Sequence, residues 1–366
     1  MDNYRPAVGT PIDQLDTPCL LIDMDALDNN YAVVAETYRD TVCKMRQHTK
    51  NIKSPRLANM QIQAGGTLNG VCTAKLSEAE VMVEGGIIDV LIPNQIVTRD
   101  KIARLAALNR LGDVKVTVDN ADNIETISEV AVEQGVVIGV LIEVDTQMNR
   151  GGVRSPEHGV VLAKLAMSLP GVKFRGVMSH QSADGWPDAD ERMRLSKELI
   201  GICLEVKDAI EAEGIPVEMV SSGETFSYAA AAQILGVTEV EGGSYALMSN
   251  IYGYLDEFQV SNKVLGTIVS TPSPNIGIGD FGMKALSTAA AANATIEGIS
   301  GVTIEEVQDE HIVLRSDGTE PFVVGQQFML LPGYQDHMPN RWDQYIGVRK
   351  GVVEQVLDIP ARGCHH

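Results

Sequence analysis

Eight short runs of β-branched and aliphatic residues recur between about residues 40 and 250, each parted from the next by a longer amphipathic stretch. This alternation restricts the fold more than any other feature. The runs are VCKMRQ (42–47), LNGVCTAK (68–75), DVLIPN (89–94), VKVTVDN (114–120), VVIGVLIEVD (136–145), VKFRGVMSH (172–180), VEMVSS (217–222) and VTEVEGGSY (237–245). Between them lie helix-like segments. SEAEVMVEGG has a capping-box pattern at Ser77 and Glu80, and DERMRLSKELIGICLEVKDAIEAEG stops at Gly214. Strands that alternate with helices imply parallel pairing through right-handed crossovers. Eight such units in about 200 residues fit a closed α/β barrel of the (β/α)₈ TIM type better than an open doubly wound sheet.

The pattern changes after about residue 255. KVLGTIVSTP, NIGIGDFG, GVTIEEVQDEHIVLRSDG, QQFMLLPG and QYIGVRKGVVEQVLDIP are β-rich, turn-punctuated and lack helical periodicity. We therefore expect a barrel over 25–252 and an antiparallel β domain built from 1–24 and 253–366, with the apolar run at Cys19 pairing into the latter. A chain of 366 residues with 44% hydrophobic content has the length for one large domain and a smaller one. Its net charge of −20 argues against nucleic acid and anionic membranes as partners. No apolar run reaches the length of a membrane span, and the polar N-terminus MDNYRPAVGTPIDQLDTP has no apolar signal-peptide core. The five cysteines are scattered, with no CxxC spacing, so neither a disulfide framework nor a zinc knuckle is indicated and a cytoplasmic location is expected.

In such a barrel the chemistry sits at the C-terminal strand ends. Polar residues collect there: Lys50 after the first run, Thr73 and Lys75, Asn94, Asp119, the loop from Asp145 to Arg150, then His180 and Gln181. Strands often stop at polar residues, so this alone is weak. The last two loops are more telling. Ser221-Ser222-Gly223-Glu224-Thr225 and Gly242-Gly243-Ser244 have the glycine and hydroxyl content of the phosphate cradle that this fold builds after strands seven and eight. Lys50 lies among Arg46, His48 and Lys53, and crowding by cations lowers an amine's pKa. A basic cluster is more often a solvated face. A lysine facing a phosphate site, however, is what a Schiff-base cofactor requires.

The residues resemble the D-threonine aldolase, D-serine dehydratase and 3-hydroxy-D-aspartate aldolase family, fold type III pyridoxal-phosphate (PLP) enzymes built like alanine racemase. The resemblance runs from Thr17-Pro18 to Pro360-Ala361-Arg362-Gly363. It is carried by Arg46-x-His48-x-Lys50-x-x-Lys53, Val71 to Glu80, Val118-Asp119-Asn120, Glu143-Val144-Asp145 with Arg150-Gly151-Gly152-Val153, Gly243-Ser244-Tyr245, Gly282-Met283-Lys284-Ala285 and Asp309-Glu310-His311. It implies Lys50 as the Schiff-base lysine and Arg150 as the partner of the cofactor's phenolic oxygen. Ser221, Gly223, Thr225, Gly243 and Ser244 become phosphate ligands, and His180 lies beside the ring. His48, Asp309 and His311 join Lys50 and His180 as candidate catalytic groups. It further implies a homodimer and a PLP-dependent lyase, either an aldolase or a dehydratase, acting on a small amino-acid substrate, a β-hydroxy-D-amino acid such as D-threonine or 3-hydroxy-D-aspartate.

The family's aldolases and dehydratases also carry a divalent metal (Mn, Mg or Zn) on a His-x-Asp or His-x-Cys motif. Here the stretch reads Pro332-Gly333-Tyr334-Gln335-Asp336-His337, so Tyr334 replaces the histidine and Asp336 is left as the candidate ligand. A neutral tyrosine is a poor ligand for such an ion. Ile52 and Ser249 also depart from the family pattern. Two alternatives to a lyase stand beside it: a metal-independent racemase or epimerase, and a PLP-binding protein without catalysis.

Overall fold

The computed structural model describes residues 4–318 and 321–366. The chain divides into two compact units. One comprises Val34–Lys50, Leu57–Gly243 and Cys364–His366, the other the segment ending at Val33, Asn51–Arg56 and Ser244–Gly363.

After a first strand, β1 (Cys19–Asp23), eight parallel strands close the barrel of the larger unit. They are β2 (Lys44–His48), β3 (Thr67–Cys72), β4 (Asp89–Ile92), β5 (Asp113–Val118), β6 (Ile138–Glu143), β7 (Val172–Ser179), β8 (Met219–Ser222) and β9 (Glu239–Val240). Closure comes from β2 pairing with β9, Lys44 opposite Glu239 and Met45 opposite Val240. All eight runs read from the sequence are strands, but most end sooner than their apolar pattern suggests. The run at 68–75 stops at Cys72 and that at 237–245 shortens to two residues, because the polar residues beyond belong to loops and helix starts. The first such start corrects the expected cap. The helix is Leu76–Glu84, capped at Lys75, and Glu78 Oε2 accepts from the backbone N–H groups of Ala74 and Lys75 at 2.7 and 3.1 Å. Ser77 and Glu80 therefore lie inside the helix rather than boxing its end.

Side chains alternate across a strand, so every second residue enters the barrel. Three layers result. At the N-terminal end, Arg46 Nε and Nη2 each donate to Glu239 at 2.9 Å, Nη1 donates to Asp89 at 2.9 Å, and Lys115 Nζ reaches Asp89 at 2.7 Å. Gly70 makes room for this network, since a Cβ there would stand 2.7 Å from Arg46 Nη1. Above it Cys72, Leu91, Leu141, Met178 and Met219 form one buried cluster. The third layer, at the C-terminal ends, is polar and builds the cavity described below.

The other unit holds a nine-stranded, largely antiparallel sheet. Beside β1 it contains β10 (Asn262–Ser273), β11 (Ile276–Gly279), β12 (Thr295–Glu297), β13 (Val302–Val307), β14 (Ile312–Ser316), β15 (Gln327–Leu331), β16 (Gln344–Arg349) and β17 (Val352–Asp358). The apolar run at Cys19 enters this sheet, antiparallel to β10 and parallel to β16. Leu15, Cys19, Leu21, Leu265, Ile346, Val348 and Val353 pack its core. No helix among the described residues is long and apolar enough to cross a membrane.

Candidate active site

A cavity of about 350 Å³ is lined by the third barrel layer, with His48, Lys50, Glu143, Arg150, His180 and Glu241 as its ionisable groups and Asn94 and Gln95 beside them. Four of the residues singled out from the sequence, Lys50, His48, Arg150 and His180, are thus brought together. Arg46 is not: it is locked with Glu239 at the opposite end of the barrel, so it does not crowd Lys50. The backbone N–H of Lys50 lies 3.3 Å from His48 Nδ1, which leaves the imidazole proton on Nε2.

Arg150 stands on the loop after β6. The loop returns on itself through Asp145 N–H to Val153 O at 3.0 Å and Val153 N–H to Glu143 O at 2.8 Å. Gly152 permits the turn. Its φ is +104°, a Cβ would stand 2.5 Å from Asp145 N, and its N–H donates to Asp119 Oδ2 at 2.8 Å. Glu143 accepts from Gln95 Nε2 and sits near Arg150. Burial raises its pKa against both of those partners.

His180 is neutral at ordinary pH. Burial, then the nearby charges of Arg150 and Lys50, push its pKa down to about 3. Glu224 is also buried, and loss of solvent lifts its pKa to about 8 although the Ala183 N–H donates to it at 2.7 Å. Asp184 adds to the rise and Lys50 opposes it. The folded chain thus holds this proton more tightly than the unfolded chain does. Glu224's contribution is most favourable below pH 4.5 and declines toward about 8, where the folded state also ionises. Glu224→Gln keeps the acceptor for Ala183 but cannot ionise. The variant's stability is therefore expected to gain on the parent's as pH rises from 4.5 to about 8, by a margin on the order of a few kcal/mol, seen as a widening gap between their thermal midpoints. Midpoint curves that run parallel would refute this assignment.

None of the candidate phosphate ligands Ser221, Gly223, Thr225, Gly243 and Ser244 is among the residues lining this cavity. Thr225 Oγ1 accepts from Gly243 N–H at 3.2 Å, which joins the loops after β8 and β9. Gly243 cannot be replaced by a larger residue without movement, since a Cβ would lie 2.6 Å from His48 O. Gly223 turns with φ +126°. Ser221, by contrast, directs its hydroxyl to Glu241 Oε1 at 2.7 Å. Ser244 opens the short helix Ser244–Leu247 of the other unit. Asp309 and His311 are exposed at the turn between β13 and β14 and are not among the lining residues. Sequence reading did not single out Gln95 or Glu241. The period-two pattern that places Glu239 inside the barrel also points Glu241 there, which was the available signal.

Tyr334 and Asp336 lie in the other unit, where the Tyr334 hydroxyl donates to Asp336 Oδ2 and Gln335 Nε2 to Oδ1, both at 2.9 Å. Among the described residues, no group of three or more His, Cys, Asp or Glu side chains is placed to hold a metal ion.

A profile of the family "Alanine racemase, N-terminal domain" matches residues 22–250. The chain belongs to that family. A second profile, of a serine dehydratase domain, matches residues 261–348 of this racemase-family chain. The chain is 34% identical over 369 residues to the 3-hydroxy-D-aspartate aldolase of Paracoccus denitrificans (strain Pd 1222), covering 97% of this chain and 94% of the relative. It is 34% identical to an Arthrobacter D-threonine aldolase, covering 97% and 95%. The crystal structure of D-threonine aldolase from Filomicrobium marinum superposes with a TM-score of 0.93 at 30% identity, over 99% of this chain and all of that one.

Proposed function

We propose that this chain is a PLP-dependent lyase that cleaves β-hydroxy-D-amino acids, with Lys50 holding the cofactor. One observation carries the proposal: a lysine, an arginine and a neutral histidine converge on one cavity beside glycine-bearing loops, in a chain similar over nearly its whole length to two such aldolases. The donor set fits the cofactor. A primary amine and a guanidinium that can meet a phenolate both line the cavity, and the chain leads from its lining residue Glu241 into Gly242-Gly243, backbone of the kind that suits a phosphate.

When bound, PLP supplies a sink for the electron pair left at Cα. The chain's own residues do the rest. Lys50 anchors the cofactor, and Arg150, oriented beside Glu143, meets the phenolic oxygen. Gly223, Thr225 and Gly243 would hold the phosphate. His180 packs beside the ring without adding a charge, and His48, with its proton on Nε2, is placed to move a proton near Lys50.

The residues at the family's metal motif do not fit a divalent ion. A neutral phenol stands where an imidazole is needed, and its hydroxyl donates to Asp336 rather than offering a metal an anionic or imidazole donor. We therefore read the reaction as needing no metal. Free cysteines fit a reducing cytoplasm. Homodimerisation is part of the reading, and Asp309 and His311 remain in it as candidate catalytic groups.

The test is incubation of purified, chelator-treated protein with PLP and either D-threonine or 3-hydroxy-D-aspartate. Release of glycine is expected for at least one. Solvent deuterium entering Cα with no glycine formed would instead establish a racemase.

A further inference from the structure

Glu241 is a buried acid of the cavity lining and is unaccounted for by the roles above. It is only 7% exposed, and its carboxyl touches Cys72 of the middle barrel layer and the Ser221 hydroxyl. Glu239 and Arg46 also act on it, but Glu239 holds Arg46 in a two-pronged pair, so that cation is already matched. Glu143, the other buried acid of the lining, serves Gln95 and sits by Arg150.

In PLP the ring nitrogen lies directly across the ring from the aldehyde carbon, while the phenolic oxygen and the phosphate arm flank that carbon. With Lys50, Arg150 and the glycine loops assigned to those three positions, one ring edge remains, and Glu241 is the carboxyl of the lining that has no role yet. A basic residue or a carboxyl is the usual partner of that nitrogen.

We infer that Glu241 is the cofactor-contacting acid that meets the ring nitrogen, and that Ser221 positions it rather than binding phosphate. This inference rests on the PLP reading above. Burial lifts the carboxyl pKa to about 7, so it has a proton to lend. The balance is simple: the carboxyl O–H bond breaks as the ring N–H bond forms, leaving a carboxylate beside a pyridinium, with no other reactant.

The test compares binding of PLP and of its 1-deaza analogue, in which C–H replaces the ring nitrogen, to protein freed of cofactor. Attachment to Lys50 is checked in each case by borohydride reduction. The parent is expected to prefer PLP by about ten- to a hundredfold, the range of a charge-assisted hydrogen bond. Glu241→Gln is expected to erase most of that preference while still forming the Lys50 adduct with both compounds, and Ser221→Ala to reduce it. The ¹⁵N signal of bound, ring-labelled PLP should report a protonated nitrogen in the parent, a measurement that needs no variant. Equal affinities, or an unprotonated nitrogen in the parent, with the Lys50 adduct present, would overturn this inference alone. A parent protein that attaches neither compound to Lys50 would overturn the PLP reading and this inference with it.

Discussion

Lys50→Ala is expected to give a folded but colourless protein whose turnover falls by about 10³-fold or more. The side chain is half-buried in the cavity wall just beyond β2, and it is the only lysine among the lining residues. Removing it therefore takes away the amine proposed to anchor the cofactor without opening a hole in the packed layers. Stability should change by about 0.5 kcal/mol or less, as for other substitutions outside the core. The pairing of those two results matters. A large loss of turnover together with a large drop in melting temperature would assign Lys50 a structural role. Full retention of colour and turnover would remove it from the site altogether.

Arg46→Met is expected to have the opposite signature. The guanidinium is 2% exposed and bridges Glu239, at 3%, to Asp89 on another strand. Methionine fills much of the same volume but leaves Glu239 buried without its cation, a change that costs about 3–5 kcal/mol. Denaturant unfolding should show this loss, and Arg46→Met combined with Glu239→Gln should recover much of it. Recovery is the informative arm, because a double variant as unstable as the single one would mean that packing, not charge, sets the effect. The network lies at the N-terminal barrel end, where residues of this fold serve stability, and PLP attachment to Lys50 should survive in whatever fraction remains folded.

The barrel was legible because its signal is local. β-branched runs alternate with amphipathic segments, and each of the eight runs became a strand. The ends of the strands were less legible, because a polar residue after an apolar run reads alike whether it continues the strand or opens a helix. Lys75 and Glu78 show this, since the cap depends on which carboxylate reaches back to the Ala74 and Lys75 amides. Arg46 and His48 expose a second limit. Both enter the barrel from β2, yet one lies in an ion network at the floor and the other in the cavity, and only the partners contributed by β4 and β9 decide which. Ser221 was assigned by family resemblance to a phosphate, whereas its hydroxyl meets Glu241, twenty positions away, across the β8–β9 pair. Such pairings are set by closure of the barrel, which no single run encodes.

PLP in this cavity is expected on one particular amine. Borohydride reduction of protein incubated with PLP, followed by mass spectrometry of its peptides, locates it. A pyridoxyl group is expected on the peptide bearing Lys50 and on no other in comparable yield. An unmodified Lys50, or label spread evenly over surface lysines, would remove the cofactor from this cavity.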